Sequence, residues 1–252
     1  MMNDEFEKEY PHYTDYSFID EDKYYALIIL HIIFTFIYYI IGVSIYEFGF
    51  IISMRHICGI FEIVRIRLQE ASTVLEEYEA NLLDYTISNI KAYEHVAKAI
   101  KLHNEVLEMV PLMEKTYKIC WFTILLANAF IFNGGIYLVI LNLSNPFVLI
   151  RYATIFAALF IHFYVIFAHG QMIINSSSSV FDACCSCKWY LACPKTRKLL
   201  FIMMLRSSRP EVITGGGFFI ISMETYSKMM KAGFSYLSIF TSQMKLNYSV
   251  EH

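Results

Sequence analysis

Between Lys118 and Arg151 the chain runs for 32 residues, Ile119 to Ile150, without a formal charge. Water-soluble folds rarely bury so long an apolar run, whereas a bilayer of ~30 Å hydrocarbon demands about 20 such positions per helix. Asn142, Asn145 and Pro146 interrupt the run, so it reads as one span over 119–141 and the approach to another. The second of these begins near Val148 and continues to about Asn175, because Arg151 lies at its mouth and the next formal charge is Asp182. Two spans joined by a short hairpin follow from the spacing.

A similar run precedes them. From Tyr24 to Met54 the only formally charged residue is Glu47, and Tyr25 to Tyr46 supplies a membrane helix. Past Arg55 the helix is expected to continue to about residue 70, since Ile52, Gly59, Ile63 and Ile66 recur at helical spacing while Glu62, Arg65 and Arg67 face elsewhere. Residues 71–118 contain no glycine and one proline, and Val96, Ile100, His103, Leu107 and Val110 form a stripe, which predicts a pair of cytosolic helices. Their glutamates, Glu76, Glu77, Glu79, Glu105 and Glu108, read as a solvated face.

Composition agrees with this reading. Hydrophobic residues make up 57% of the chain and mean hydropathy is +0.46, values that exclude a disordered chain and point to a membrane protein. The net charge is −3, with acids concentrated in the N-terminal arm 1–23 and no basic stripe to neutralise phosphates, so nucleic acid is not an expected partner. That arm lacks a basic stretch followed by an apolar core, so no signal peptide is expected and the first span inserts the chain. Six cysteines are present, four of them in CCSCKWYLAC. The spacing lacks paired CxxC units and a histidine, so neither a metal nor a cofactor is expected; reduced thiols are the simplest reading, with S-acylation as the alternative.

The last quarter supplies a different pattern. Leu199, Ile202, Met203 and Leu205 alternate with cations over 197–206, which suits a short amphipathic helix at the cytosolic surface. Pro210 ends it, Gly215, Gly216 and Gly217 read as a flexible joint, and a further helix is expected from about Phe218 to Lys245. Ser235, Ile239 and Ser242 share one face of that helix, with Lys228 and Ala232. Periodicity alone favours close packing of such a stripe in a helix bundle; the alternative is a pore with Ile239 as its apolar constriction. Basic residues number eight over 51–118 and six over 177–216, against four (Lys8, Lys23, Arg151 and Lys245) in the arm, the hairpin and the tail. The positive-inside rule places the arm 1–23, the hairpin and the tail 246–252 outside, and 176–216 inside.

The succession Trp189, Arg197-Lys198, Met204, Arg206-Ser207, Arg209-Pro210, Gly217-Phe218, Ser222, Lys231 and Ser235-Tyr236 resembles the C-terminal signature of insect odorant receptors. HIIFTFIYYIIGVSIYEFGFIISMRHICGIFEIVRIRLQE is similar to that family's fourth span and its cytosolic extension, and IFAHGQMIINSS to the end of its sixth. The resemblance implies an all-α membrane protein with four transmembrane helices, 24–70, 119–141, 148–175 and 217–245, matching spans four to seven, around a cytosolic anchor region. The first three spans of the family have no counterpart here, so a partial sequence is expected. The resemblance further implies a subunit of an odorant-gated cation channel, assembled with a co-receptor as a hetero-tetramer in the plasma membrane of olfactory sensory neurons. Its ligand would be a small volatile organic molecule. Carried over by position, Ser235, Ile239 and Ser242 would line the pore. The odorant pocket would draw on His31, Thr35, Tyr38 and Tyr39 of the first span and Phe156 and Phe160 of the third; aromatic walls with few donors suit a weakly polar ligand.

Two other classes compete. A transporter or scaffold would use the interruption at 210–217 as a binding site, but its intramembrane acid could only be Glu47 or Glu224, both near span ends. A truncated, non-conducting fragment would act by competing for full-length subunits. No HExxH, GxSxG or phosphate-binding loop is present, so an enzyme is not expected.

Overall fold

The computed structural model describes residues 24–141 and 146–250. The chain divides into two compact units, residues 1–50 and 51–252. Five α-helices carry the described chain: α1 (Tyr25–Glu79), α2 (Tyr85–Leu141), α3 (Pro146–Ser186), α4 (Pro194–Ser207) and α5 (Met223–Val250). A 3-10 turn over Trp189–Leu191 precedes α4, and an antiparallel pair, β1 (Thr214–Gly215) and β2 (Phe219–Ile220), separates α4 from α5. Among the described residues α1, α2 and α3 are long and apolar enough to cross a membrane. The fourth expected span, α5, is long enough at 28 residues but is not among them, because its polar stripe and lysines dilute its apolar content. The acidic arm 1–23 and the break at Asn142 and Asn145 lie outside the described residues, and the flanking helices end at Leu141 and start at Pro146.

α1, α2 and α3 are longer than the sequence pattern predicts, because each continues unbroken into a polar-end bundle. α1 stops at a left-handed Asn81 (φ 56°), where the Leu82 amide donates to the Glu77 carbonyl at 2.9 Å, closing the helix end in a Schellman arrangement. Asp84 then caps α2, its Oδ1 accepting from the Thr86 amide at 2.8 Å. α2 runs unbroken through 118/119, where the span is expected to begin, and Pro111 sits inside it. A proline inside a helix costs roughly 3 kcal/mol; burial of Val106, Val110 and Met113 around it offsets that cost and keeps the helix whole. On α3 the serine run 176–179 does not break the helix either: Ser177 and Ser179 donate back to the Ile174 and Ser176 carbonyls, and Val180, Ala183 and Cys184 are buried beyond them.

Within the second unit α1 and the first half of α2 pack antiparallel. The pairings run Tyr78 with Tyr85, Ser88 Oγ to the Val74 carbonyl (2.9 Å), Glu70 with His95 (2.9 Å) and Phe61 edge-on to His103. The expected face of α1 is corrected here: Ile52, Ile63 and Ile66 are exposed, while Phe61, Val64, Leu68, Ala71 and Leu75 are fully buried. Both faces of this segment carry aliphatic residues, and the partner helices select the one with Phe61. On α2 the buried stripe is Ala92, Val96, Ala99, His103, Val106 and Val110, one residue away from the expected Ile100 and Leu107. α4 likewise buries Thr196, Leu200, Met203 and Ser207 and leaves Ile202 and Leu205 exposed.

The glycine run is not a loose joint. Gly216 (φ 66°) and Gly217 (φ 82°) occupy the turn between β1 and β2, closed by the Phe218 amide donating to the Gly215 carbonyl. The expected helix start near Phe218 moves to Met223, because Phe219–Ile220 pair with Thr214–Gly215 and Ser222 caps α5, its Oγ accepting from the Thr225 amide.

Candidate functional site

Contacts from both sides hold the start of α5. Ile221 and Ile213 are buried and joined by a 2.8 Å backbone bond. From α2, Glu114 accepts a hydrogen bond from the Thr214 hydroxyl, and Phe122 packs on Phe218. From α3, the Gln171 carbonyl oxygen accepts from the Met223 amide at 3.2 Å, and its amide nitrogen donates to Asn175 at 2.9 Å. One turn on, the Tyr226 hydroxyl donates to the Phe160 carbonyl at 3.4 Å, and its ring meets Tyr164 and Phe167. The packed face of α5 thus passes through Tyr226, Met230, Gly233 and Phe234, the last against Phe160.

Ser235, Ile239 and Ser242 lie on the opposite face. At ~100° per residue Ser235 is about two and a half turns beyond Tyr226, and the other two fall within about 40° of it. All three are exposed, Ile239 at 61%. Lys228 shares this face and pairs with Glu224 at 2.6 Å one turn before it.

Of the six residues expected at a ligand pocket, His31, Thr35, Tyr38 and Tyr39 lie in the first unit, exposed on α1. Phe156 and Phe160 lie in the second unit on α3, where both rings meet Phe132 of α2, at 5.1 and 6.3 Å between centroids. Phe160 also borders a cavity of about 200 Å³ between α2, α3 and α5; Asn128, Phe132 and Asn133 line it from α2, Met230 and Gly233 from α5. None of these five was singled out from the sequence. Asn128 and Asn133 were the available signal, since amides inside an otherwise charge-free span have to satisfy their polar atoms. The cavity itself joins three segments distant in sequence, which periodicity cannot align.

The cysteines show no ligand geometry. All six are free thiols, and among the described residues no three His, Cys, Asp or Glu side chains gather as a metal site. Burial pushes the Cys184 thiol up to about 12 and the Cys187 thiol up to about 11.

Helices of membrane length, apolar flanks and a polar-end bundle define a polytopic α-helical membrane protein. The profile of the 7tm Odorant receptor family matches residues 2–234, so the chain belongs to that family, one of membrane receptors and not of enzymes. Among its relatives from Drosophila melanogaster, Odorant receptor 22c is 24% identical over 192 residues, covering 75% of this chain and 46% of the relative. Odorant receptor 10a is 22% identical over 217 residues, 83% of this chain and 52% of the relative. Odorant receptor 49a is 32% identical over 90 residues, 36% of this chain and 23% of the relative. The chain thus spans about half the length, or less, of these curated relatives.

Proposed function

We propose that this chain is part of an odorant receptor subunit, acting with a co-receptor in a hetero-tetrameric, ligand-gated cation channel whose pore is lined by α5. The observation that carries this reading is the division of α5 into two faces: one held by α3 through Tyr226 and Phe234, the other presenting Ser235, Ile239 and Ser242 unburied. A lipid-facing helix would carry apolar residues there, whereas hydroxyls flanking one apolar ring suit an intermittently wetted pathway. The relatives' names supply the odorant class, and the exposed His31, Thr35, Tyr38 and Tyr39 with Phe156 and Phe160 are the residues assigned to a volatile organic ligand. The distribution of basic residues supports an orientation with both chain ends outside the plasma membrane of the sensory neuron.

Co-expression with a co-receptor and recording of cation current tests the pore assignment. Ile239→Ser lowers the dewetting barrier, so basal current without odorant rises at matched surface expression. Unchanged basal current and ion permeability ratios remove Ile239 from the pathway. Epitope tags at both ends, stained before permeabilisation, test the orientation.

A further inference from the structure

We propose that the cavity between α2, α3 and α5 binds a small neutral molecule of single-ring size carrying one hydrogen-bond acceptor, seated against Met230 and Gly233 of α5. The site differs from the ligand residues assigned above, sharing Phe160 alone, and it does not depend on the channel reading.

Size and chemistry select the occupant. The cavity holds about 200 Å³, above the ~150 Å³ in which an apolar engineered cavity accepts benzene. Its walls are the rings of Phe132 and Phe160 and the soft thioethers of Met229 and Met230, which adapt to a planar guest. Asn128 adds polarity. It lies ten residues beyond Lys118, roughly 15 Å along the helix, and its side-chain amide has no hydrogen-bond partner among the described residues. The neighbouring Asn133 amide nitrogen already donates to the Ala129 carbonyl at 2.7 Å. A half-buried amide among apolar walls gains from a partner, and a ligand carbonyl or ether oxygen meets its N–H. An acyl chain offers no acceptor to that amide.

Gly233 makes the site testable. A Cβ there would touch only Phe132 Cζ, at an ordinary 3.9 Å, so a larger side chain grows into the cavity without straining the helix. The 252-residue chain is reconstituted in nanodiscs and titrated with tritiated acetophenone and with α-methylstyrene, which replaces the ketone oxygen by a methylene of similar shape. The expected result is that Gly233→Leu abolishes binding of both, while Gly233→Ala, a single methyl, weakens both only slightly. Asn128→Leu weakens acetophenone about tenfold, the effect of one hydrogen bond, and leaves α-methylstyrene unchanged. Melting curves confirm that each variant is folded. Full binding to folded Gly233→Leu overturns the proposal. So does an Asn128→Leu variant that fails to separate the two probes, or acetophenone binding that is competed by oleoyl lipid and not by unlabelled acetophenone. No current is recorded in this assay, so its outcome is separate from that of the pore assignment.

Discussion

Gly170 on α3 is where the bundle and the last helix come closest, and Gly170→Ala measures how rigid that joint is. A Cβ at this position would stand 2.1 Å from the Ile221 carbonyl oxygen and 2.7 Å from Ile221 Cγ2. The first of these is backbone, and it cannot swing aside as a side chain would. Ile221 is tied to Ile213 at 2.8 Å, and two residues on the Met223 amide is tied to Gln171 at 3.2 Å. Overpacking typically costs ~1–3 kcal/mol, and weakening one or two of these hydrogen bonds adds about 1 kcal/mol each. Replacing glycine inside a helix returns about 1 kcal/mol. The net expectation is a destabilisation of about 2–3 kcal/mol, or roughly 5–10 °C in Tm for a chain of this size. Gly59→Ala is the matched control: a Cβ there has no atom within 4 Å, so only the propensity gain of ~0.5–1 kcal/mol remains. Thermal unfolding in one detergent compares the two, and hydrogen exchange at the Ile221 amide localises the effect. Gly170→Ala melting with or above Gly59→Ala would refute the argument, because it would mean that the backbone at Ile221 yields without resistance.

Two further outcomes follow from burial away from the membrane spans. Cys184 and Cys187, with thiols pushed up to about 12 and about 11, stay protonated and unreactive near neutral pH, so maleimide labels the exposed Cys185 before either of them; mass spectrometry showing Cys184 or Cys187 labelled as early as Cys185 in folded protein contradicts this. His103 is buried against Phe61, and burial first, then Arg206, hold its imidazole below its ordinary value of 6.5, opposed by Glu211. The unfolded chain therefore binds the proton more readily, and the stability His103 contributes is complete above pH 6.5 and lost as pH falls below it. Tm should drop on acidification from pH 7 to 5.5 by more in the native chain than in His103→Gln, and equal slopes would remove His103 from the acid response.

The fold was legible where one segment carries its own signal. Charge-free runs located α1, α2 and α3, because hydrocarbon thickness fixes how many apolar residues a span needs whatever it packs against. Registers were less legible. Ile63 and Ile66 make as good a helical stripe as Phe61, Val64 and Leu68, and only the presence of α2 beside α1 decides between them. The hairpin was hidden for a different reason: two-residue strands are too short to show a period of two, so the glycines 215–217 read as a joint when Gly216 and Gly217 serve a tight turn. Of the site residues, Ser235, Ile239 and Ser242 were legible as a stripe because they share one helix. The cavity needed Asn128, Phe160 and Gly233 brought together from three helices.

The distribution of contacts along α5 links these observations. Ser222, Gln171, Glu114 and Phe122 fix the hairpin and the first turn of the helix, while Tyr226 fixes the next. Gly233 lies eleven residues beyond Ser222, roughly 16 Å along the axis, and there the helix meets α2 and α3 across a cavity instead of through interlocked side chains. Packing is therefore dense where α5 begins and incomplete just before Ser235 and Ile239. A cavity wall yields at lower cost than a packed contact, because fewer dispersion partners are lost when it moves. A guest in that cavity restores the missing contacts to one face of α5 a single turn before the residues on the other, so the place where the helix is least constrained adjoins the place where a change in its position would alter the polar stripe.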